Sequence, residues 1–160
     1  MYIRRTSYEL MQDKPNYLID LDVRLTWHKL SRMYNQKANS YGISMPMGFI
    51  LLHIDKEGTR STQLGPRMGM EPTSLSRTLK TMEEKGFIRR EEDTKDKRVV
   101  RIFLTNEGLE ARYIARDVIF QFNNKILQRI SQKNLDVFQK VVEQIQQIID
   151  EESEGLSSES

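Results

Sequence analysis

Residues 72–108 read PTSLSRTLKTMEEKGFIRREEDTKDKRVVRIFLTNEG. Pro72 suits a first helical position, where its missing N–H costs nothing. Leu75, Leu79 and Met82 follow at spacings of four and three, one apolar stripe of a helix that runs to Lys85 and stops at Gly86. Thr73, Ser74, Ser76, Arg77 and Lys80 fall away from that stripe, giving the helix a short, polar, cationic outer face. Two strand-like runs come next, residues 87–92 and 99–104, joined by a mostly charged six-residue tip, residues 93–98. Val100, Ile102 and Leu104 share one face of the second run. Thr105-Asn106-Glu107-Gly108 then opens another helix.

Working outward, Ser44 is an N-cap for a helix expected through Lys56, with Pro46 in its first turn, and Gly58 ends it. A short helix over residues 61–68 and a turn at Gly69-Met70-Glu71 lead into Pro72. Further upstream, Ile19, Leu21, Val23, Leu25 and Trp27 alternate with polar residues as in a strand. Val23, Trp27, Leu30 and Tyr34 nevertheless continue at helical spacing with no turn signal before Gly42, and the length favours a helix over residues 17–39. Residues 1–16 read as an arm.

Downstream, Ile114, Val118, Phe122, Ile126 and Ile130 recur every four residues, and Tyr113, Phe120 and Leu127 add a second stripe at seven. A helix facing one core needs less apolar width, so part of this surface is expected to meet another subunit. After Ser131, Leu135, Phe138, Val142, Ile145 and Ile149 form a seam of 3.5-residue average spacing. That seam fits packing within the chain as well as between chains. Residues 151–160 (EESEGLSSES) read as a disordered acidic tail.

The expected fold is mainly α with a small β-hairpin: a winged helix-turn-helix domain over residues 43–105, flanked by N- and C-terminal dimerisation helices at residues 17–42 and 106–150.

Composition excludes several alternatives. The 160-residue chain contains no cysteine and only two histidines, His28 and His53, so thiol, iron–sulfur and zinc-thiolate chemistry are absent and no metal site or cofactor is expected. Walker, G-x-S-x-G and H-E-x-x-H motifs are missing, so no enzymatic activity is expected. The N-terminus lacks the apolar core of a secretory signal, and no apolar run approaches a membrane span, so the expected location is the cytoplasm. The overall net charge is only +2, but residues 60–101 carry eleven bases against seven acids, whereas residues 143–160 carry six acids and no base. This asymmetry suits a polyanion-binding centre.

Each part of the central segment has a task that duplex DNA would set. A recognition helix entering a major groove about 12 Å wide needs an apolar inner face and short polar or cationic outer residues. Thr73, Ser74, Ser76, Arg77 and Lys80 supply the latter, and Arg77 is long enough for a bidentate contact with guanine. In the hairpin tip, Asp96 and Arg98 lie two residues apart on one face, so Asp96 is expected to hold the Arg98 guanidinium for a narrow minor groove. Lys95 and Lys97 would add phosphate contacts.

The segment Asp96-Lys97-Arg98 followed by Leu104-Thr105-Asn106-Glu107-Gly108 resembles the D-x-R…L-T-x-x-G signature of the MarR (multiple-antibiotic-resistance regulator) family. Residues 73–77 and 84–88 are similar to its recognition helix and the turn into its wing. The resemblance covers roughly residues 17–150. It implies a homodimer on a pseudo-palindromic double-stranded DNA operator, acting as a transcriptional repressor relieved by a small, often aromatic, anionic effector. Gly65-Pro66 departs from the pattern, because a proline inside a helix removes a backbone bond. The alternative is a winged-helix module used only for protein–protein contact, which need not keep a cationic recognition face. His28 and His53 read as packing residues, with a sensing role open to either if it lines a pocket.

Overall fold

The computed structural model describes residues 18–158; the expected arm at residues 1–16 lies outside them. Two compact units divide the chain between Arg116 and Asp117.

The first unit begins with α1 (Ile19–Ala38), so the helical spacing prevails over the alternating pattern. A 3-10 turn (Asn39–Tyr41) follows, then α2 (Met45–His53), β1 (Thr59–Arg60), α3 (Ser61–Met68), α4 (Pro72–Glu84), β2 (Ile88–Glu92) and β3 (Val100–Leu104). The first turns of α5 (Asn106–Arg129) complete it. β3 lies between β1 and β2 and pairs antiparallel with both, in the register Ile102 opposite Thr59 and Arg90.

The core of the first unit collects one side of its helices and of β2 and β3. Ile50, Leu51 and Ile54 meet Leu64, Leu79, Met82 and Ile102, all at most 2% exposed. Leu75, Leu79 and Met82 are the buried residues of α4, as their spacing requires.

Around α2 the structure departs from the sequence reading in three respects. The helix after Ser44 stops at His53 rather than Lys56. Ile54 turns extended to bury its side chain fully, and the Asp55 amide donates to Thr59 Oγ1 at 2.8 Å, which folds the chain back into β1. That two-residue strand is too short to leave a pattern in the sequence. Ser44 is extended at the N-cap, but its side chain makes no capping bond. Asn35 of α1 takes that role from a distance, its Oδ1 accepting the Met45 amide at 2.8 Å.

Pro66 is tolerated inside α3. Its missing N–H leaves one carbonyl of the first turn unpaired by the helix, while the Gly65 carbonyl is used by the Met70 amide at 3.0 Å to close the helix end.

The second unit holds the rest of α5 and α6 (Gln132–Ser158). The helix continues to Ser158, so the tail expected to be disordered from residue 151 is helical throughout its described part. Links at i,i+4 carry it onward: Gln147 Nε2 donates to Glu151 Oε1 at 2.8 Å, and Ser153 Oγ to the Ile149 carbonyl at 2.7 Å. In the seam, Leu135, Val142 and Ile145 are half-buried, whereas Phe138 and Ile149 are exposed. On α5, Ile114, Val118, Phe122 and Ile126 are half-buried, and Tyr113, Phe120 and Leu127 face outward. Among the described residues no helix is long and apolar enough to cross a membrane.

Candidate nucleic-acid interface

All five expected residues of the α4 outer face, Thr73, Ser74, Ser76, Arg77 and Lys80, are exposed. Thr78 and Thr81 lie beside them but turn their hydroxyls back onto the helix, donating to the Ser74 and Arg77 carbonyls. No side chain caps the N-terminus at Glu71, so the first-turn amides stay open to an anion.

A joint fastens the far end of α4 to the hairpin and to α5, and it explains the Leu104-Thr105…Gly108 sequence. Thr105 Oγ1 donates to the Gly86 carbonyl at 2.5 Å and accepts the Gly108 amide at 3.0 Å, capping α5. The Thr105 amide donates to the Phe87 carbonyl at 3.1 Å. Gly108 lies so close to that carbonyl that a Cβ on it would sit 1.9 Å from the oxygen, so only glycine fits.

The wing is built on Asp93, a residue the sequence reading counted only as one charge of the tip. It is 4% exposed. Its Oδ1 accepts the amides of Lys95 at 2.8 Å and Asp96 at 3.2 Å, and its Oδ2 accepts Arg101 Nε. The Arg101 guanidinium and these backbone donors hold the Asp93 carboxyl down at about 2. Arg101 Nη1 also donates to the Gly58 carbonyl at 2.9 Å. Gly58, at φ +78°, packs under Phe103, where a Cβ would meet the ring at 2.4 Å.

Asp96 plays a different part from the one expected. Its Oδ1 accepts the backbone amide of Arg98 at 3.0 Å, so it shapes the tip and does not grip the guanidinium. Lys95, Lys97 and Arg98 are exposed, and none forms an ion pair with a described residue.

Several of the other bases nearby are engaged. Arg90 pairs with Glu83 at 3.0 Å, joining β2 to α4. Arg89 pairs with Glu91 at 2.6 Å, donates to the Leu104 carbonyl and lies over the Phe103 ring. Arg67 pairs with Asp55 at 3.5 Å. Lys80 reaches Glu84 only at 3.9 Å, with both side chains exposed, a contact of little energy. Exposed cations without a described ion pair thus stand on the α4 face (Arg77) and the tip (Lys95, Lys97, Arg98), and also at Lys56, Arg60 and Lys85.

A cavity of about 360 Å³ opens between α1, α2 and the end of α3, lined by Trp27, Phe49, His53, Arg67, Met68 and Met70 among others. His53 Nδ1 is in contact with the Phe49 carbonyl at 2.8 Å, which fixes its ring in the cavity wall. His28 is exposed on α1 and does not line it. Among the described residues no group of three or more His, Asp or Glu side chains is placed to hold a metal ion.

Helix, short strand, two helices and a hairpin with a charged tip, in the order α2-β1-α3-α4-β2-β3, define a winged helix-turn-helix domain. Residues 43–100 match the family model of the MarR family. HTH-type transcriptional regulator TtmR of Methylorubrum extorquens (strain PA1) is 32% identical over 82 residues, 51% of this chain and 42% of that protein. HTH-type transcriptional repressor MdtR of Bacillus subtilis (strain 168) is 26% identical over 105 residues, 65% of this chain and 64% of that protein. The chain thus spans less than two thirds of either relative. The fold is also that of MepR from S. aureus in its DNA complex, with a TM-score of 0.76 at 16% identity, covering 82% of this chain and 98% of that one.

Proposed function

We propose that the protein is a sequence-specific double-stranded DNA-binding transcriptional regulator, acting as a homodimer in the cytoplasm. One observation carries this reading. In the winged domain Arg67, Arg89, Arg90 and Arg101 are tied into the fold, while Arg77 on α4 and Lys95, Lys97 and Arg98 on the tip stand exposed without a described ion pair, as do Lys56, Arg60 and Lys85 elsewhere on its surface. Thr73, Ser74, Ser76, Arg77 and Lys80 read base edges and phosphates in the major groove, and the tip residues Lys95, Lys97 and Arg98 reach the adjacent minor groove, with Asp96 shaping the turn.

The dimer is supported by apolar surface that a lone chain leaves in water. Leu21, Val23, Leu25 and Trp27 on α1, and Val137, Phe138, Ile148 and Ile149 on α6, are each between 45% and 67% exposed. Residues 17–42 and 106–150 are assigned to that interface and residues 43–105 to DNA. Repression is the sign favoured by the relative named as a repressor. A small aromatic or anionic effector fits the cavity at Trp27, Phe49 and His53, whose wall also offers Arg67. The chain is assigned no catalytic role.

Charge reversal at the tip separates this reading from a winged-helix module that only contacts proteins. Arg98→Glu is expected to abolish retention on duplex DNA while leaving the thermal melt of the domain unchanged. Unchanged DNA retention in that variant would overturn the assignment of the tip.

A further inference from the structure

Arg101 stands mid-strand in β3, the strand between the other two. Ile102, its neighbour, is fully buried; Arg101 leans the other way, with 30% of its side chain exposed, and spends its donors on two separate segments. Nε meets the Asp93 carboxylate at the root of the tip, and Nη1 meets the Gly58 carbonyl just ahead of β1 and α3. One rigid guanidinium thereby joins the hairpin to the chain that enters the helix-turn-helix. Asp93 in turn holds the amides of Lys95 and Asp96, so the direction of the tip follows from where Asp93 is held.

We propose that Arg101 is a positioning residue for DNA recognition: through Asp93 and Gly58 it fixes the direction in which residues 95–98 leave the sheet relative to α4. The inference rests on the DNA-binding reading of the domain and adds to it a residue that touches no DNA. The hairpin needs such a device. Its tip is six polar residues, and β1 braces the sheet by only two residues. Left to two short strands, the tip would sample many directions, and each contact in a narrow groove would cost ordering entropy. The guanidinium suits the task because its donors lie in a fixed plane; an ammonium is a single point on a flexible stem.

Asp93→Asn tests this with opposed signs. Asparagine keeps the Oδ1 acceptor for the two tip amides, removes the charge that holds Arg101, and turns an NH₂ toward it. Losing a negative charge beside the tip should, by electrostatics alone, tighten binding to every duplex. A positioning role predicts a selective loss instead: a preference of about tenfold for the selected flanking base pairs falls toward onefold, while the preference at the base pairs under α4 persists. Arg101→Lys keeps the charge but cannot make both bonds, and the same selective loss is expected. In an Arg98→Ala background, neither substitution should lower the flank preference further, because Lys95 and Lys97, the cations left on the tip, would contact phosphates of any sequence.

Tighter binding by Asp93→Asn with flank preference intact would overturn the inference, as would losses of flank preference that add to that of Arg98→Ala. A wild-type protein that binds DNA with no sequence preference at all would overturn the DNA reading itself, and this inference with it. A wild type with preferences only under α4 would overturn the inference alone.

Discussion

Asp93 and Arg101, eight residues apart, form the one ion pair of the described residues whose carboxylate is buried, its side chain 3% exposed. The arginine and two backbone amides lower the Asp93 pKa from 3.8 to about 2. A group whose folded value is depressed contributes stability above its unfolded value and loses it as pH falls through the folded one. The clamp is therefore intact across neutral and mildly acid pH and is lost between about pH 4 and pH 2. Thermal melts of wild type and Asp93→Asn should differ by a constant amount above pH 4 and converge near pH 2. A difference that opened only above pH 5 would contradict the pairing.

Gly108→Ala places a methyl group 1.9 Å from the Phe87 carbonyl oxygen, where backbone on both sides must move. A loss of about 3 kcal/mol or more is expected, in the range reserved for gross steric conflict. Urea denaturation checks this, with Gly155→Ala in α6 as the control: its Cβ meets nothing within 4 Å, and it should lose no stability and gain up to about 1 kcal/mol.

Met82 is fully buried between α4 and the rest of the core. Its truncation to alanine should cost about 2–5 kcal/mol, as cavities in close-packed interiors do. Neighbouring Lys80, exposed on the opposite face, should tolerate alanine within about 0.5 kcal/mol of stability while weakening DNA binding. Paired melts and binding curves separate the two effects.

Much of this was legible in the sequence because it rests on local rules. Pro72, Gly86 and the Leu75–Leu79–Met82 spacing delimit α4, and the exposed Thr73, Ser74, Ser76, Arg77 and Lys80 follow from the same periodicity. The clamp was not legible. Asp93, Arg101 and Gly58 meet only through β-sheet register, and a charged tip residue that is buried looks the same in the sequence as one that is solvated. Asp96 was misread for a related reason: the i,i+2 spacing that would let it reach a side chain equally lets it cap its own turn. The helical course of residues 151–158 escaped because their composition is that of a solvated tail, while their i,i+4 links depend on the helix already present before them.

Substitutions in the two parts proposed to face DNA should differ in kind. Arg77→Ala is expected to cost about 1–3 kcal/mol on the selected sequence and to relax its specificity. Lys95→Ala should weaken all sequences alike and reduce the salt slope by about one. Equal losses on selected and random duplexes for Arg77→Ala would contradict its readout role.

Val141→Glu on the exposed side of α6 should shift the protein from dimer to monomer in sedimentation equilibrium, leaving the melt of the winged domain in place. A wild-type protein that sediments as a monomer at micromolar concentration would remove the dimer from the account.

The most direct measurement is binding of the purified protein to random and genomic duplex fragments across a salt series. The account predicts a small set of fragments retained at salt that strips random DNA, sharing a pseudo-palindrome with half-sites about 34 Å apart. Weak binding of every fragment alike, with a shallow salt slope, would contradict it.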